Sequence, residues 1–337
     1  MAGDAGVGEA DASTSVRVDV VPWDDPDARL LRDAQQAELR ERYGEDDIGH
    51  DMTGEAIAVM LVLRADGEAV ACGALRDATD LGAGTGELKR MYVRPSWRGR
   101  GLSRRVLEEL EAAARERGFG RLVLETGVLQ PEAIGLYLSA GYRPVPRWGE
   151  YADAPDSRCF AKDLTAPGTS SPAPEPPEVT VVPVRWDDPD AAALRRAVVA
   201  ELAARGPGDG HGLDDADLAR SDAEAGDGVL ATLLARLGGE AVGCVAVRRA
   251  PAPWPDGWAE VRCLYVSPPL RGRGAGRRLL TAAQEAARAR GCTAAVLATG
   301  VLPPASVGLY LALGYRPVRP AVDWSATPDL LWFARPL

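Results

Sequence analysis

The chain of 337 residues is longer than one ordinary domain and accommodates two domains of about 150 to 165 residues. Its residues are 46% hydrophobic and 26% charged, a composition typical of a soluble globular protein. The net charge of −10 argues against a nucleic-acid partner, since contacts with phosphates need a basic face.

The counts of single residue types exclude further classes. Two histidines leave little material for a histidine-based metal site, so no metal is predicted. The five cysteines are odd in number and contain no Cys-x-x-Cys pair, which favours buried thiols that form no disulfide in a reducing cytosol. No apolar run approaches the roughly 18 residues of a membrane span, and residues 1–15 do not resemble a signal peptide. The sequence therefore predicts a cytoplasmic protein with no membrane partner.

The same succession of elements occurs twice along the chain. Residues 1–15 carry few bulky apolar side chains and are predicted to be disordered. Residues 16–21 follow a strand pattern, and the Asp/Pro cluster at residues 23–28 then predicts a helix that runs to about Arg40. The same six-residue sequence occurs again at residues 186–191, where it also follows a predicted strand, so the repeated unit is a whole domain.

The two copies are separated by a proline-rich segment. Residues 87–164 align without a gap on residues 260–337, and 37 of the 78 positions are identical. Residues 165–178 hold five prolines among small polar residues, which is typical of a semi-rigid extended linker. We therefore predict a first domain at 16–164 and a second at 179–337. Such a duplication predicts a monomer built as an internal pseudo-dimer, or a weak homodimer.

Each copy is predicted to contain a hairpin, a strand, an amphipathic helix, a buried strand, a second helix and a closing pair of strands. The elements before the closing pair lie at residues 57–75, 87–93, 102–117, 121–125 and 131–140, and at 230–247, 260–266, 275–290, 294–298 and 304–313. This order predicts an α/β fold in which each domain is a mostly antiparallel mixed sheet with helices on both faces.

A turn rich in glycine and arginine joins the strand to the amphipathic helix in each copy. Glycine lets the backbone approach an anion, and the start of a helix offers unpaired N–H groups and the positive end of its dipole. Arginines add charge that suits phosphate oxygens. A tight turn with solvated arginines is the alternative, but the repetition in the same context favours a phosphate site. The turns are Arg98-Gly99-Arg100-Gly101 and Arg271-Gly272-Arg273-Gly274.

These turns lack the three glycines of a dinucleotide fingerprint and the Lys-Ser/Thr ending of a nucleotide-hydrolysing loop. They resemble the acetyl-coenzyme A turn of the GNAT superfamily of N-acetyltransferases, in which Arg or Gln precedes two residues, Gly, one residue, and Gly or Ala. Residues 271–276 meet this pattern in full. Residues 98–103 depart from it at Ser103, whose side chain is small enough to allow the approach.

Two further motifs carry the resemblance over nearly the whole chain apart from the tail and linker. An apolar–x–Val–x–Pro strand end occurs at residues 91–95 and 264–268, and Gly-Leu-Tyr-Leu-x-x-Gly-Tyr at 135–142 and 308–315. The resemblance implies two tandem GNAT-like domains, each with splayed central strands around the pantetheine arm of acetyl-coenzyme A or another acyl-coenzyme A. The implied cofactor-binding residues are Met91, Val93, Arg98, Gly99, Arg100, Gly101, Ser103 and Arg104, and Leu264, Val266, Arg271, Gly272, Arg273, Gly274, Gly276 and Arg277.

Acyl transfer to an amine needs a path for the amine proton, a donor for the oxyanion and an acid for the departing thiolate. The resemblance puts the acid at Tyr137 and Tyr310, and the oxyanion donor at the backbone N–H of Met91 and Leu264. The alternative for the tyrosines is a core position whose hydroxyl finds a backbone partner.

The base is predicted at Glu87 and Glu260, where some members of the family carry a catalytic glutamate. A glutamate paired with a nearby arginine and a water chain in place of the base are the alternatives. His50 and His211 fall where the family shapes its acceptor pocket, among acidic residues that would attract a cationic amine, although a solvated loop face is the alternative. The aromatic residues near the ends of the copies predict acceptor sites of different shape: Trp148 and Tyr151 against Trp324 and Trp332.

The sequence thus predicts a tandem acyltransferase in which a small-molecule amine attacks the thioester directly. One alternative is that one copy only binds acyl-coenzyme A or supports its sibling, and another is a protein lysine acetyltransferase. A composition rich in Ala, Arg and Gly is that expected of a high-GC actinobacterium, where tandem members of the family serve secondary metabolism, including antibiotic biosynthesis.

Overall fold

The structure is a computed structural model, and it describes residues 15–44, 54–164, 179–203, 226, 228–300, 304–321 and 330–337. Apart from residue 15, the predicted tail lies outside these ranges, as does the linker predicted at 165–178. The chain divides into two compact units, the first made of Met1–Leu129 and Leu136–Pro167 and the second of Gln130–Gly135 and Gly168–Leu337. No helix in the described ranges is long and apolar enough to cross a membrane.

The first unit is built on a sheet of seven strands. They are β1 (Val16–Val21), β2 (Ile57–Ala65), β3 (Glu68–Asp77), β4 (Thr85–Val93), β5 (Arg121–Gly127), β6 (Arg143–Val145) and β7 (Ser157–Asp163). The strand order is β1-β2-β3-β4-β5-β7-β6. The central pair β4–β5 is parallel, and the other described pairs are antiparallel. A parallel central pair needs a crossover, which a helix supplies.

Three described helices follow the strands of this sheet in the chain: α1 (Pro26–Tyr43), α2 (Leu102–Glu116) and α3 (Pro131–Ser139), of which α3 belongs to this unit from Leu136 onward. Asp25 fixes the start of α1, because its carboxylate accepts the backbone N–H groups two and three residues further along. Gly44 ends the helix in the left-handed conformation, with a φ of 80°. The helix is therefore about one turn longer than the sequence pattern predicts.

Helices α1 and α2 lie on opposite faces of the sheet, because neighbouring residues of a strand point to opposite sides. Cys72 and Ala74 of β3 pack with Ala28 and Leu31 of α1. Gly73, between them, faces α2. A Cβ on Gly73 would lie 2.6 Å from Cγ1 of Val106 and 2.9 Å from Cδ1 of Leu110, so α2 packs directly on the backbone of β3.

The second unit repeats this topology. Its strands are β8 (Thr180–Val184), β9 (Val229–Leu237), β10 (Glu240–Arg249), β11 (Trp258–Val266), β12 (Ala294–Gly300), β13 (Arg316–Pro317) and β14 (Leu330–Pro336). Its described helices are α4 (Pro189–Ala203), α5 (Ala275–Ala289) and α6 (Pro304–Ala312). The strand order is β8-β9-β10-β11-β12-β14-β13, with β11–β12 parallel. The predicted fold class, two α/β domains with mostly antiparallel mixed sheets, is confirmed.

Replacing Gly73 by alanine should lower the free energy of unfolding of the first domain by about 1–3 kcal/mol, because the packed side chains of α2 must move. The matched substitution is Gly308→Ala in α6, where nothing lies within 4 Å of the added Cβ. There we expect no loss, or a gain of up to about 1 kcal/mol from helix propensity. Denaturant unfolding followed by circular dichroism measures both, and equal effects of the two changes would contradict the packing argument.

Candidate active site

A gap opens in each sheet between its two parallel strands. Strands β4 and β5 pair only from Thr85 to Leu88 on one side and from Arg121 to Leu124 on the other, although β4 continues to Val93. Strands β11 and β12 pair over three positions only, Trp258 to Glu260 with Ala294 to Val296. Both pairs of strands therefore diverge toward their C-terminal ends, as the resemblance to GNAT domains implies.

A β-bulge lies beside each gap. Arg90 has a φ of 54°, and the register of β3 with β4 shifts between Cys72 and Ala74. In the second copy Cys263 has the same φ of 54°. A positive φ in such residues is uncommon and needs support from its surroundings.

A cysteine supports each bulge. The Cys72 thiol donates to the carbonyl oxygen of Arg90, and the Cys244 thiol donates to that of Cys263, with Sγ–O distances of 3.4 Å in both cases. Burial raises the pKa of Cys72 to about 12, so this thiol keeps its proton. None of the five cysteines forms a disulfide. Sequence reasoning missed this supporting role. The feature of the sequence that could have revealed it is that both hairpins carry a cysteine at the same position.

The bulge turns the backbone of Met91 toward the gap. Beyond it Tyr92 pairs with β3, and the N–H of Arg94 donates to Val70 of the same strand. Alternate residues of a strand direct their backbone groups to opposite neighbours. The N–H and C=O groups of Met91 and Val93 therefore face the gap, where β5 no longer provides partners.

Side chains bind the two carbonyl groups that face the gap. Gln35 Nε2 donates to the Met91 oxygen at 3.0 Å, and Arg98 Nε donates to the Val93 oxygen at 3.0 Å. In the second copy Arg271 Nε donates to the Val266 oxygen at 2.8 Å. With the carbonyl groups engaged, Met91 and Val93 present hydrogen-bond donors to the gap.

The glycine turn follows directly and leads into α2 and α5. Gly99, Gly101, Gly272 and Gly274 have φ values of 78°, 78°, 74° and 86°. Gly101 and Gly274 are the N-caps of their helices and provide no side-chain hydrogen bond to the first turn. A Cβ at Gly99, Gly101 or Gly272 would meet nothing within 4 Å, so the surface above the backbone there is open. This combination fits a diphosphate group bound by N–H groups at the helix start.

The first arginine of each turn points away from this surface. The guanidinium of Arg98 binds Val93 and forms an ion pair with Glu38 of α1, and that of Arg271 is bound by Glu201 of α4 in the same way. These two guanidinium groups tie the strand end to the helix, whereas the charge argument expects them at the phosphate. Sequence reasoning missed the two glutamates because they lie 60 and 70 residues away from the arginines.

The remaining turn residues lie at the surface. Arg100 stacks on the Trp97 ring at 4.5 Å, and Arg104 Nη2 donates to the Ser139 hydroxyl at 2.7 Å. The other four are at the helix starts: Ser103 and Gly276 are half-buried, and Arg273 and Arg277 are exposed.

The tyrosine of the second motif is buried next to the gap in each copy. Tyr137 is 7% exposed, and its hydroxyl lies 3.5 Å from Sδ of Met91. Burial raises the pKa of Tyr137 and of Tyr310, and the charge of Glu125 adds to the rise at Tyr137. Each ring packs edge-on against the last tyrosine of its motif, Tyr142 or Tyr315. The tyrosines thus belong to the core and also border the gap.

Glu87 lies in a charged cluster on β3 and β4. Its side chain is 2% exposed, with Oε2 2.8 Å from Arg76 Nε and Oε1 3.1 Å from Lys89 Nζ. The Lys89 contact is an ion pair without hydrogen-bond geometry, and Lys89 is also bound to the hydroxyl of Tyr151. Glu260 pairs with Arg248 at 2.6 Å. Both glutamates are therefore paired with an arginine, and their role as base stays a prediction.

The aromatic side chains near these glutamates differ between the copies. In the first, Trp148 packs edge-on against Tyr151 with ring centroids 6.0 Å apart. In the second, Trp254 stacks on Trp258 and packs against Trp332, with centroids 5.7 Å apart in both pairs. Sequence reasoning singled out Trp332 but missed the other two tryptophans. His50, His211 and Trp324 lie outside the described residues.

The sequence matches the acetyltransferase (GNAT) family twice, at residues 21–142 and 197–315. An IAA acetyltransferase of Azospirillum brasilense is 43% identical over 104 residues, which are 31% of this chain and 67% of that protein. An uncharacterized N-acetyltransferase of Escherichia coli K12 is 36% identical over 84 residues, 25% of this chain and half of that protein.

Among solved structures, an acyl-CoA N-acyltransferase of Klebsiella pneumoniae described as putative is 33% identical, with a TM-score of 0.39 over 44% of this chain and 97% of that one. An acetyltransferase of Salmonella typhimurium, solved with acetyl-CoA, is 24% identical, with a TM-score of 0.36 over 47% of this chain and 94% of that one.

The two features that define the class are the bulged, splayed strands and the uncapped helix behind a glycine turn, and each occurs twice. The chain belongs to the GNAT acetyltransferase family and contains two copies of its domain. It is an acetyltransferase, and its co-substrate is an acyl-coenzyme A.

Proposed function

We propose that each copy transfers an acetyl group from acetyl-coenzyme A to the amine of a small molecule by direct attack on the thioester. The observation that carries this proposal is the bulge at Arg90 and Cys263, which both copies build and support with a buried thiol. A strained backbone beside an open gap is the arrangement expected where N–H groups must face a reacting carbonyl.

The co-substrate would be held mainly by backbone groups. The N–H groups of the turns at 98–103 and 271–276 would bind its diphosphate, because neither helix start has a side-chain cap and the surface above Gly99, Gly101 and Gly272 is open. The N–H groups of Val93 and Val266 would bind the pantetheine arm in the gap. Arg100 and Arg273 are exposed on the turn and would add positive charge there.

The chemical step forms a C–N bond and breaks a C–S bond. The amine nitrogen attacks the thioester carbon, and the carbonyl electron pair moves to the oxygen, where the N–H of Met91 or Leu264 would stabilise it. As the carbonyl reforms, coenzyme A leaves as a thiolate and the amide nitrogen loses its proton to water.

Tyr137 and Tyr310 would assist this departure as hydrogen-bond donors. Burial raises the pKa of both, so the hydroxyl groups stay protonated at neutral pH. A phenol with a pKa above its ordinary value of about 10 does not readily give its proton to a thiolate, whose conjugate acid has a pKa of about 8.5. A hydrogen bond to the thiolate stabilises the leaving group without that transfer, and solvent then supplies the proton.

The pairing of Glu87 leads to a pH prediction. Because its oxygens contact Arg76 and Lys89, we expect Glu87 to hold these cations on the acceptor side while water removes the amine proton. Glu87→Gln should lower kcat about tenfold and leave the acidic limb of the pH profile of kcat/KM in place. Loss of the acidic limb in the variant would instead identify Glu87 as the general base.

Acetyl transfer is tested by incubating the full chain with acetyl-coenzyme A and a panel of amines, and by mass spectrometry of the products. We expect acetylated small amines. Transfer only to lysine side chains of peptides would establish the protein acetyltransferase alternative instead. A role in secondary metabolism stays a prediction, and preference for an amine specific to such a pathway would support it. No product with any amine, together with tight binding of acetyl-coenzyme A, would reject the small-molecule proposal.

A further inference from the structure

Helix α1 crosses the gap of the first copy and binds both of its edges. On the β4 edge, Gln35 Nε2 donates to the Met91 oxygen at 3.0 Å. On the far edge, just beyond β5, the Tyr43 hydroxyl accepts the N–H of Leu129 at 2.9 Å. Arg42 Nη1 donates to the carbonyl oxygen of the same Leu129 at 3.1 Å. Three hydrogen bonds thus join two strand ends that no longer pair with each other.

Close packing at the end of β5 accompanies these bonds. Gly127 is the last residue of that strand, and a Cβ built on it would overlap the Tyr43 hydroxyl and lie 2.5 Å from Cζ of the ring. The tyrosine ring therefore lies directly on the strand backbone, where only glycine leaves room for it.

The second copy lacks both side chains. Asp25 and Asp188 cap α1 and α4 in the same way, so the two helices correspond at an offset of 163. The ion pairs of Glu38 and Glu201 with their turn arginines agree with this offset.

At that offset Val198 stands in place of Gln35, and Gly206 in place of Tyr43. Valine has no hydrogen-bond donor and glycine has no ring. Gly206 lies outside the described residues, so the contrast at that position rests on residue type alone.

We propose that Gln35 and Tyr43 are positioning residues of the first copy, which fix the separation of the two gap edges before substrates bind. The inference rests on the proposed function of the gap. Hydrogen-bond donors that are already fixed in the free enzyme need no free energy to become ordered when substrates bind. With an acceptor that both copies use, the first copy should therefore turn over faster than the second.

The kinetic test uses the full chain with Gly274→Val, a change designed to abolish acetyl-coenzyme A binding by the second copy. In this background Gln35→Val and Tyr43→Phe should each lower kcat about tenfold, with the KM for acetyl-coenzyme A changed less than twofold. The control is Glu41→Ala, an exposed position on the same helical turn, which should leave both constants unchanged. Equal kinetics of all three variants would overturn the proposal.

A second measurement separates positioning from general stability. Gln35→Glu keeps the shape of the side chain, but a carboxylate cannot donate to Met91. The ratio of its kcat to that of the parent at the same pH should be low at neutral pH and rise as the pH falls to the carboxyl range near 4.3. A parallel decrease of kcat and of the free energy of unfolding, with no recovery at low pH, would make the contact merely structural and reject the proposal.

Hydrogen exchange tests the same contacts without turnover. In the unliganded chain, Tyr43→Phe should speed exchange of the Leu129 N–H at least tenfold and leave the amides of β2 unchanged. Unchanged exchange at Leu129 would refute the tie even if the enzyme is active. If no amine is acetylated, the proposed function of the site fails, while accelerated exchange at Leu129 in the variant would still support the tie.

Discussion

Replacing Tyr137 by phenylalanine is expected to lower kcat of the first copy about 100-fold, at the low end of what the loss of one preorganised hydrogen-bond donor costs. The hydroxyl is buried beside Met91, where the departing thiolate would lose its hydrogen-bond donor. Because the ring stays in place, acetyl-coenzyme A should still bind with unchanged affinity. The measurement is release of coenzyme A, followed by chromatography because the protein has thiols of its own. The Gly274→Val change is included so that the second copy does not contribute to the measured turnover.

Tyr142→Phe is the matched control, since this tyrosine belongs to the same motif and is fully buried, but its ring lies against Lys162, which is bound to Glu111 of α2. We expect it to keep kcat within about twofold. Similar losses in the two variants would show that Tyr137 is a core residue only. The corresponding experiment on the second copy is Tyr310→Phe in a chain whose first copy is inactivated by Gly101→Val. Loss of turnover in only one of the two experiments, with cofactor bound by both copies, would identify the other copy as non-catalytic.

Local patterns were sufficient to predict most of the fold. The strand pattern of residues 16–21, the Asp/Pro helix start and the glycine after α2 act over a few residues, and the structure has these elements within a few residues of their predicted ends. The repeat reinforced each prediction, because a pattern that occurs twice in the same order is unlikely to be accidental. The splayed strands came from the resemblance, since no local pattern encodes where two strands stop pairing.

Most of the missed features depend on contacts between distant residues. Gln35 reaches Met91 across 56 residues, and Arg98 reaches Glu38 across 60. Such partners are set by the packing of α1 on the sheet and leave no periodic signal. The thiol that supports the bulge was seen as inert because burial was the only property that the sequence suggested for it. Arg98 shows the limit of a charge argument, since its position in a phosphate motif did not predict which way the side chain points.

The glycine turns carry the second large effect. Gly101→Val should weaken acetyl-coenzyme A binding to the first copy at least 100-fold, because valine strongly disfavours the φ of 78° and its side chain covers the N–H groups of the helix start. Calorimetry of the wild-type chain should give two binding sites, and Gly101→Val should give one. Gly274→Val should remove the other site, since its φ is 86°.

The control for strain is a glycine with the same backbone and no phosphate role. Gly118 follows the end of α2, with a φ of 82° and nothing within 4 Å of an added Cβ. Gly118→Val and Gly101→Val should therefore cost similar stability, about 1–2 kcal/mol each. Gly291, with a φ of 77°, is the equivalent control in the second copy. If Gly118→Val abolished binding as Gly101→Val does, the loss would come from disturbed folding. If Gly101→Val left two sites, the diphosphate would not bind at this turn, and the assignment of both turns would be wrong.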